Sequence, residues 1–350
     1  MARRKQAVTI KHVAADAGVS LQTVSRVINK EPNVRPQMKD KVQASIDKLG
    51  YVPSIAAQRM SGSKSYLLLA LNDRERTVEQ WRAREGNDWV DQMLYGGMLK
   101  SAELGYRMMI ELVDTHSDHI ERELKSTLAS LQPDGVILTP PHSDSPQIIG
   151  LLEDANIPFA RLGTLGDGSG IAISMDEEGA ARIATEYLIE QGHKRVGFVL
   201  GPSDYRLSAR RFVGWQEAMN HAGLSSEGLT ATGDFSRESG ETAARELLGQ
   251  TDRPTAILCS NDQMTLGALN VAKELGLAVP RDLSLISFDN SPIVRFSQPP
   301  LTAIDQPIAD ITALAVERII AAQSGGPQNS ASSIVDAGLV VRGSVAPPAE

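Results

Sequence analysis

Apolar positions follow two rhythms along this chain, and the change from one to the other falls near residue 65. Before it the period is helical. Ile10, Val13, Ala14 and Ala17 sit at i, i+3, i+4 and i+7, one face of a helix that Thr9 can cap and Gly18 can end. A second helix is predicted over about residues 21–29, capped by Ser20, with Val24, Val27 and Ile28 turned inward and Gln22, Ser25, Arg26 and Asn29 on the opposite face. Pro36 suits the first turn of a third helix, whose buried stripe is Met38, Val42, Ile46 and Leu49 before the stop at Gly50. Pro53 then breaks the chain, Ser54 can cap a short helix over 55–61, and Gly62-Ser63 reads as a joint. A helix that short is marginal alone in water.

From Tyr66 on, short apolar runs alternate with helical segments. The runs at 67–71, 108–112, 135–138, 196–200, 256–259 and 283–288 read as buried parallel strands. The helical segments between them include 90–104, 120–131, 179–191, 211–222 and 265–275. Such alternation builds doubly wound α/β layers. One sheet rarely uses this many residues, so two lobes are expected.

Charge sharpens the division. The 350 residues carry a net charge of −8, which looks wrong for a nucleic-acid binder. Residues 1–64, however, hold 12 Lys and Arg against 4 Asp and Glu, while the remainder holds 23 against 39. A polyanion-binding surface is therefore expected on the small basic unit alone. Helix, Gly-containing turn, helix is the helix-turn-helix plan, whose second helix enters the major groove by its N-terminal end. There Gln22 can pair with adenine N6 and N7, Arg26 can reach guanine O6 and N7, and Leu21 can sit against a thymine methyl. Thr9, Ser20, Thr23, Ser25 and Asn29 suit phosphates, which position the protein without reading sequence.

The run from Ile10 to Asn29 (IKHVAADAGVSLQTVSRVIN), Arg35-Pro-Gln-Met-Lys-Asp-Lys-Val after it, and Leu49-Gly-Tyr-Val-Pro-Ser-Ile-Ala-Ala-Gln-Arg-Met60 resemble the signature of the lactose-repressor (LacI/GalR) family of transcription regulators. The resemblance continues through nearly the whole chain. It implies a headpiece over 1–53, a hinge over 54–64, a two-lobed periplasmic-binding-protein-like body over 65–342 and a tail over 343–350. It also implies lobes that the chain crosses more than once: one over about 65–190 and 307–332, the other over about 191–306 with the last strand near 334–341. In proteins of this kind the hinge folds when two copies pair over the minor groove, and a Leu levers open the central base step. Here Met60 stands at that position, with Ala57 as a second hinge contact to DNA; Met is an accepted wedge residue.

Ligands of open α/β sheets bind outside the carboxyl ends of strands, which directs attention to polar residues that follow them. By resemblance, Arg211, Asn261 and Asp289 match the family's effector-contacting Arg, Asn and Asp, Phe235 an aromatic that stacks on the ligand, and Asp176 a cleft acid of many members. Chemically the set suits a sugar: Asp and Asn exchange hydrogen bonds with hydroxyls, Arg donates a fork, and an aromatic face covers the apolar side of a ring. The charged stretch 72–89 departs from the family pattern, and only Asn72 is assigned to the site there.

Other chemistries find little support. The six histidines lack metal-ligand spacing, the Gly-rich stretches lack a phosphate-loop Lys, and Cys259, the one cysteine, has no sequence-local base and reads as core. No metal, cofactor or enzymatic activity is expected. No run approaches the roughly 20 apolar residues of a membrane helix, and the basic start is not followed by an apolar signal core, so the cytoplasm is the expected compartment. The expected partners are operator DNA, a small polar effector and a second copy of the chain; the tail shows no heptads, so a dimer is expected rather than a coiled-coil tetramer. Induction and corepression both stay open, and the competing reading is a sugar-binding protein without a DNA role.

Overall fold

The computed structural model describes residues 8–28, 33–51, 64–84, 86–115, 117–166, 168–323 and 332–349. They fall into two units that divide between Tyr66 and Leu67. The N-terminal unit contains α1 (Ile10–Ala17), α2 (Leu21–Ile28) and α3 (Pro36–Leu49). Val13, Val24 and Val42 are fully enclosed at its centre, with Ala14 and Tyr51 around them. The stops and starts follow the local chemistry. Gly18 adopts φ 65°, in the left-handed region, and Ser20 Oγ accepts the Thr23 backbone N–H at 3.1 Å. Asp16 ties α1 to α3 by accepting from Ser45 Oγ and Lys48 Nζ, both at 2.7 Å. Met38 does not join the core and is 38% exposed. The inward face of α3 is centred on Val42 and Ser45, which leaves Met38, near the helix start, at its margin. Asn29 and the expected hinge, with Ala57 and Met60, lie outside the described residues.

The second unit is built on two sheets. The first comprises β1 (Leu67–Asp73), β2 (Arg107–Val113), β3 (Gly135–Leu138), β4 (Phe159–Leu162), β5 (Ile171–Met175) and β11 (Ser333–Val335), in the order β11-β5-β4-β3-β1-β2 and parallel throughout. The second comprises β6 (Val196–Leu200), β7 (Thr230–Thr232), β8 (Ala256–Cys259), β9 (Ser284–Asp289), β10 (Thr302–Asp305) and β12 (Gly338–Val340). Its order is β12-β10-β9-β8-β6-β7, parallel except for β12 against β10. Leu67–Leu71 and Ala256–Cys259 are buried at every position, which is why these strands read as continuous apolar runs instead of alternating ones. Ten helices cover the sheets among the described residues: α4 (Arg74–Ala83), α5 (Asp88–Glu103), α6 (Ile120–Leu131), α7 (Pro146–Asp154), α8 (Glu177–Glu190), α9 (Arg206–His221), α10 (Arg237–Leu248), α11 (Asp262–Glu274), α12 (Pro292–Phe296) and α13 (Ile308–Gln323). Cys259 is fully buried, and burial pushes its thiol up to about 12.

The chain passes between the lobes three times. α13 returns to the first lobe, packing on β3, β4, β5 and α5. The other two crossings lie elsewhere than the resemblance implied. α8 packs on α9 and on strands of the second sheet, so the first crossing falls at Asp176, after β5, and not near residue 190. Residues 333–335 pair with β5 in the first sheet, and the last crossing therefore falls between β11 and β12, at Asp336-Ala337. Periodicity cannot show this, because a helix following a strand reads alike whichever sheet it covers.

The α8–α9 contact is made by small residues. A Cβ on Gly214 would lie 2.0 Å from the carbonyl oxygen of Glu178, backbone that has nowhere to go. Gly150, inside α7, has nothing within 4 Å of the same position. Gly214→Ala is therefore expected to cost about 1–3 kcal/mol through overpacking. Gly150→Ala should be neutral or add about 0.4–1 kcal/mol. Urea unfolding of the two variants checks the contrast.

Candidate functional site

The lobes face each other across a cleft of about 340 Å³. Its walls come from the carboxyl ends of β1, β8 and β9 and from the helices that follow them, where open α/β sheets place ligands. Five of the six sequence-predicted effector residues line it: Asn72, Arg211, Phe235, Asn261 and Asp289. The sixth does not. Asp176 is exposed and caps α8, its Oδ1 accepting the Gly179 N–H at 3.0 Å. At the crossing the chain instead turns the next residue, Glu177, inward.

Glu177 is the partner of Arg211. The Arg211 Nε donates to Glu177 Oε2 at 2.7 Å, its Nη1 donates to the Ser260 carbonyl at 2.5 Å, and its guanidinium lies 4.3 Å from the centre of the Phe288 ring. Both side chains are nearly sealed, at 2% and 4% exposed. Burial raises the Glu177 carboxyl above its ordinary value, against the opposing pull of Arg211. Asn261 serves the frame as well as the cleft: its Oδ1 caps α11 at Met264 N, and its Nδ2 donates to the Phe235 carbonyl, both at 2.9 Å. Asn72 is similarly held, donating to Thr77 Oγ1 at 2.6 Å and accepting from Thr139 Oγ1 at 2.8 Å.

Asp289 enters the cleft from a loop whose backbone is left-handed at two successive residues, φ 91° at Asp289 and 61° at Asn290. Asp and Asn tolerate this region better than other side-chain-bearing residues. The carboxylate accepts from Gln306 Nε2, in the second crossing, and from the Asp262 N–H at 3.4 Å. Asp262 is buried beside it and accepts from the Ser291 N–H at 2.7 Å and from the hydroxyls of Ser291 and Ser287. Desolvation raises both carboxyls, and Asp289 pushes Asp262 further upward.

Phe235 lies against Gly201, where any side chain would collide with the ring, since a Cβ there would be 2.4 Å from it. Tyr205 meets it edge-on, with centroids 5.4 Å apart and planes at 82°. Sequence reasoning passed over what closes this corner. The stretch after β1 is the helix α4, and its Arg76 reaches the other lobe. Its Nε donates to the Tyr205 hydroxyl at 3.1 Å and its Nη1 to the Asp234 carbonyl. The guanidinium stands 4.9 Å from the Tyr205 centroid and 5.3 Å from that of Phe235. The Tyr205 hydroxyl donates to Asp73 Oδ2 at 3.2 Å. Polar residues after a strand were the signal in hand, and Asp73-Arg-Glu-Arg76 follows β1 directly. What periodicity lacked was any sign that this polar segment is a helix, because its faces carry no apolar stripe.

The raised carboxyl pair fixes a sign for pH. An aspartate whose folded value exceeds its unfolded one holds its proton more tightly when folded. Its contribution to stability is thus full at low pH and is lost as pH rises above about 4, the unfolded value. Asp262→Asn removes the main titrating group. Urea midpoints measured from about pH 5 to 8 should fall less steeply in the variant than in the parent; parallel slopes would refute the assignment.

Comparison with known proteins agrees with both units. Residues 9–54 match the family model "Bacterial regulatory proteins, lacI family", and residues 185–345 match "Periplasmic binding protein-like domain". The regulator CelR of Thermobifida fusca is 33% identical over 328 residues, 90% of this chain and 93% of the relative. The repressor CytR of Escherichia coli K12 is 31% identical over 345 residues, covering 98% and 97%. Among solved structures, the Lac repressor dimer bound to operator and the anti-inducer ONPF is 26% identical with a TM-score of 0.78, covering 97% of this chain and 100% of that one. A CelR–cellobiose complex is 29% identical with a TM-score of 0.73, covering 96% and 99%. A helical N-terminal unit, a two-lobed α/β body and relatives that match both along nearly their whole length establish that this chain belongs to the lacI family of bacterial regulatory proteins.

Proposed function

We propose that this protein is a transcription repressor that binds a palindromic operator as a dimer and is controlled by a sugar in the cleft. The observation that carries the reading is the readout face of α2. Leu21, Gln22 and Arg26 are exposed on it, while Val24 faces the core. Thr23 and Ser25 are half-buried beside them, Thr9 and Ser20 are exposed, and all suit the phosphate flank. A carrier of sugars has no use for such a unit. No helix among the described residues is long and apolar enough to cross a membrane. A repressor acting on chromosomal DNA is expected in the cytoplasm, and the effector is the one small molecule this reading requires.

Two supports come from the body. Asp289 and Asn261 supply an acceptor and an amide beside the aromatic Phe235 in one cleft, a set that suits a polyhydroxyl ring. The relative CelR was solved with cellobiose. For the dimer, α5 exposes Tyr95, Met98 and Leu99 on one face, at 61%, 52% and 57%, and the edge strand β2 exposes Met109. Such a face needs cover, and a second copy would supply it; the similar Lac repressor was solved as a dimer bound to operator.

Gln22→Ala should weaken binding to the operator by about 1–3 kcal/mol in a gel-shift titration and relax discrimination at the base it reads. An unchanged affinity would remove α2 from the interface. Met98→Glu should yield a monomer in sedimentation at micromolar concentration and abolish the shift. A dimer that persists in Met98→Glu would place the interface elsewhere.

A further inference from the structure

The cleft's charges are unevenly matched. Among the described residues, five acidic side chains line it, those of Asp73, Asp88, Asp91, Asp262 and Asp289, against the two guanidiniums of Arg76 and Arg211, and no lysine. Both guanidiniums already have tasks. Arg211 is bound to Glu177 and the Ser260 carbonyl and covered by Phe288. Arg76 is bound to Tyr205 and the Asp234 carbonyl, across from its own lobe, and stands over the aromatic pair. A guanidinium fork aimed at the ligand is a strong recogniser of phosphate or carboxylate. Helix N-termini are the other ready anion site, and those of α4, α5 and α11 at the cleft are already capped by the side chains of Asp73, Asn87 and Asn261. To turn either guanidinium to a ligand, the cleft would have to break a buried ion pair or open its own corner.

We infer that the cleft is a charge filter, selecting uncharged polyhydroxyl ligands and rejecting their phosphorylated or carboxylated counterparts, with Arg76 serving as a clasp between the lobes and not as an anion receptor. This deepens the sugar reading above and rests on it. An uncharged ring donates hydrogen bonds from its hydroxyls to Asp289 and accepts them from amides such as Asn87 on the opposite wall. An anion in the same place faces Asp289 and Asp88, and the cations that act on them, Arg211 and Arg295, already serve those two side chains; like charges brought together disfavour binding. Asp88 is raised by burial and by the charge of Asp91, against the opposing pull of Arg295.

The test is calorimetric titration of the full chain with matched pairs: glucose and glucose 6-phosphate, ribose and ribose 5-phosphate, cellobiose and cellobionate. The neutral member of at least one pair is expected to bind, and its anionic partner at least about tenfold more weakly. Asp88→Asn should narrow that gap, and Arg76→Gln should leave the anion excluded. A selectivity ratio is the readout because loss of folding alone lowers both members together. An anionic member that binds as well as its neutral partner would overturn the filter while leaving the sugar reading intact. The same holds, more sharply, if Arg76→Gln then abolishes that binding, which would make Arg76 the anion receptor. Binding of neither member of any pair would sink the sugar reading and the filter with it.

Discussion

A guanidinium sealed from water must find its counter-charge inside the protein, and the body of this regulator is arranged around the one that does. Arg211 issues from α9, its carboxylate from the first residue of α8, its carbonyl acceptor from the end of β8 and its aromatic cover from β9. Four elements of the second lobe thus meet at one side chain, at the place where the chain arrives from the first lobe. The ion pair is not a large net source of stability, because desolvating two charges consumes most of their attraction. Its value is positional. Removing either partner strands the other in a dry site, at a cost of about 3–5 kcal/mol, so the junction admits few alternatives.

Much of this was legible in residues. The headpiece reads directly, since each helix carries an apolar stripe and glycines end α1 and α3, and among the stripe residues the structure leaves Met38 at the margin of the packed face. The buried strands read as apolar runs because parallel sheets are covered on both sides. β5, β10 and the two short last strands carry weaker signals, being brief and interleaved with polar residues. Lobe membership was not readable at all. Whether α8 lies on one sheet or the other depends on contacts with α9, far along the chain, and the small residues that permit them look like any helix face.

The site shows the same division. Polar residues after strand ends led to the cleft, and Asn261, Asp289 and Asn72 line it. Their side chains are also caps and braces of the frame, so the two readings of a strand-end Asp or Asn are not exclusive here. Asp176 failed for a simple reason: at a crossing, adjacent residues face different surroundings, and capping claimed one while burial claimed the next. Arg76 and Tyr205 were missed because they are 129 positions apart and meet only when the lobes do.

Three passages of chain join the lobes, and that number has a mechanical meaning. Each passage of chain is a tether, and every tether beyond the first removes relative movements of the lobes that a single strand would leave open. Gln306, within the second passage, is bonded to the Asp289 carboxylate in the cleft. A ligand that competes for the Asp289 carboxylate therefore acts on a segment that joins the lobes, and a contact made in the cleft is passed to the chain that runs between them.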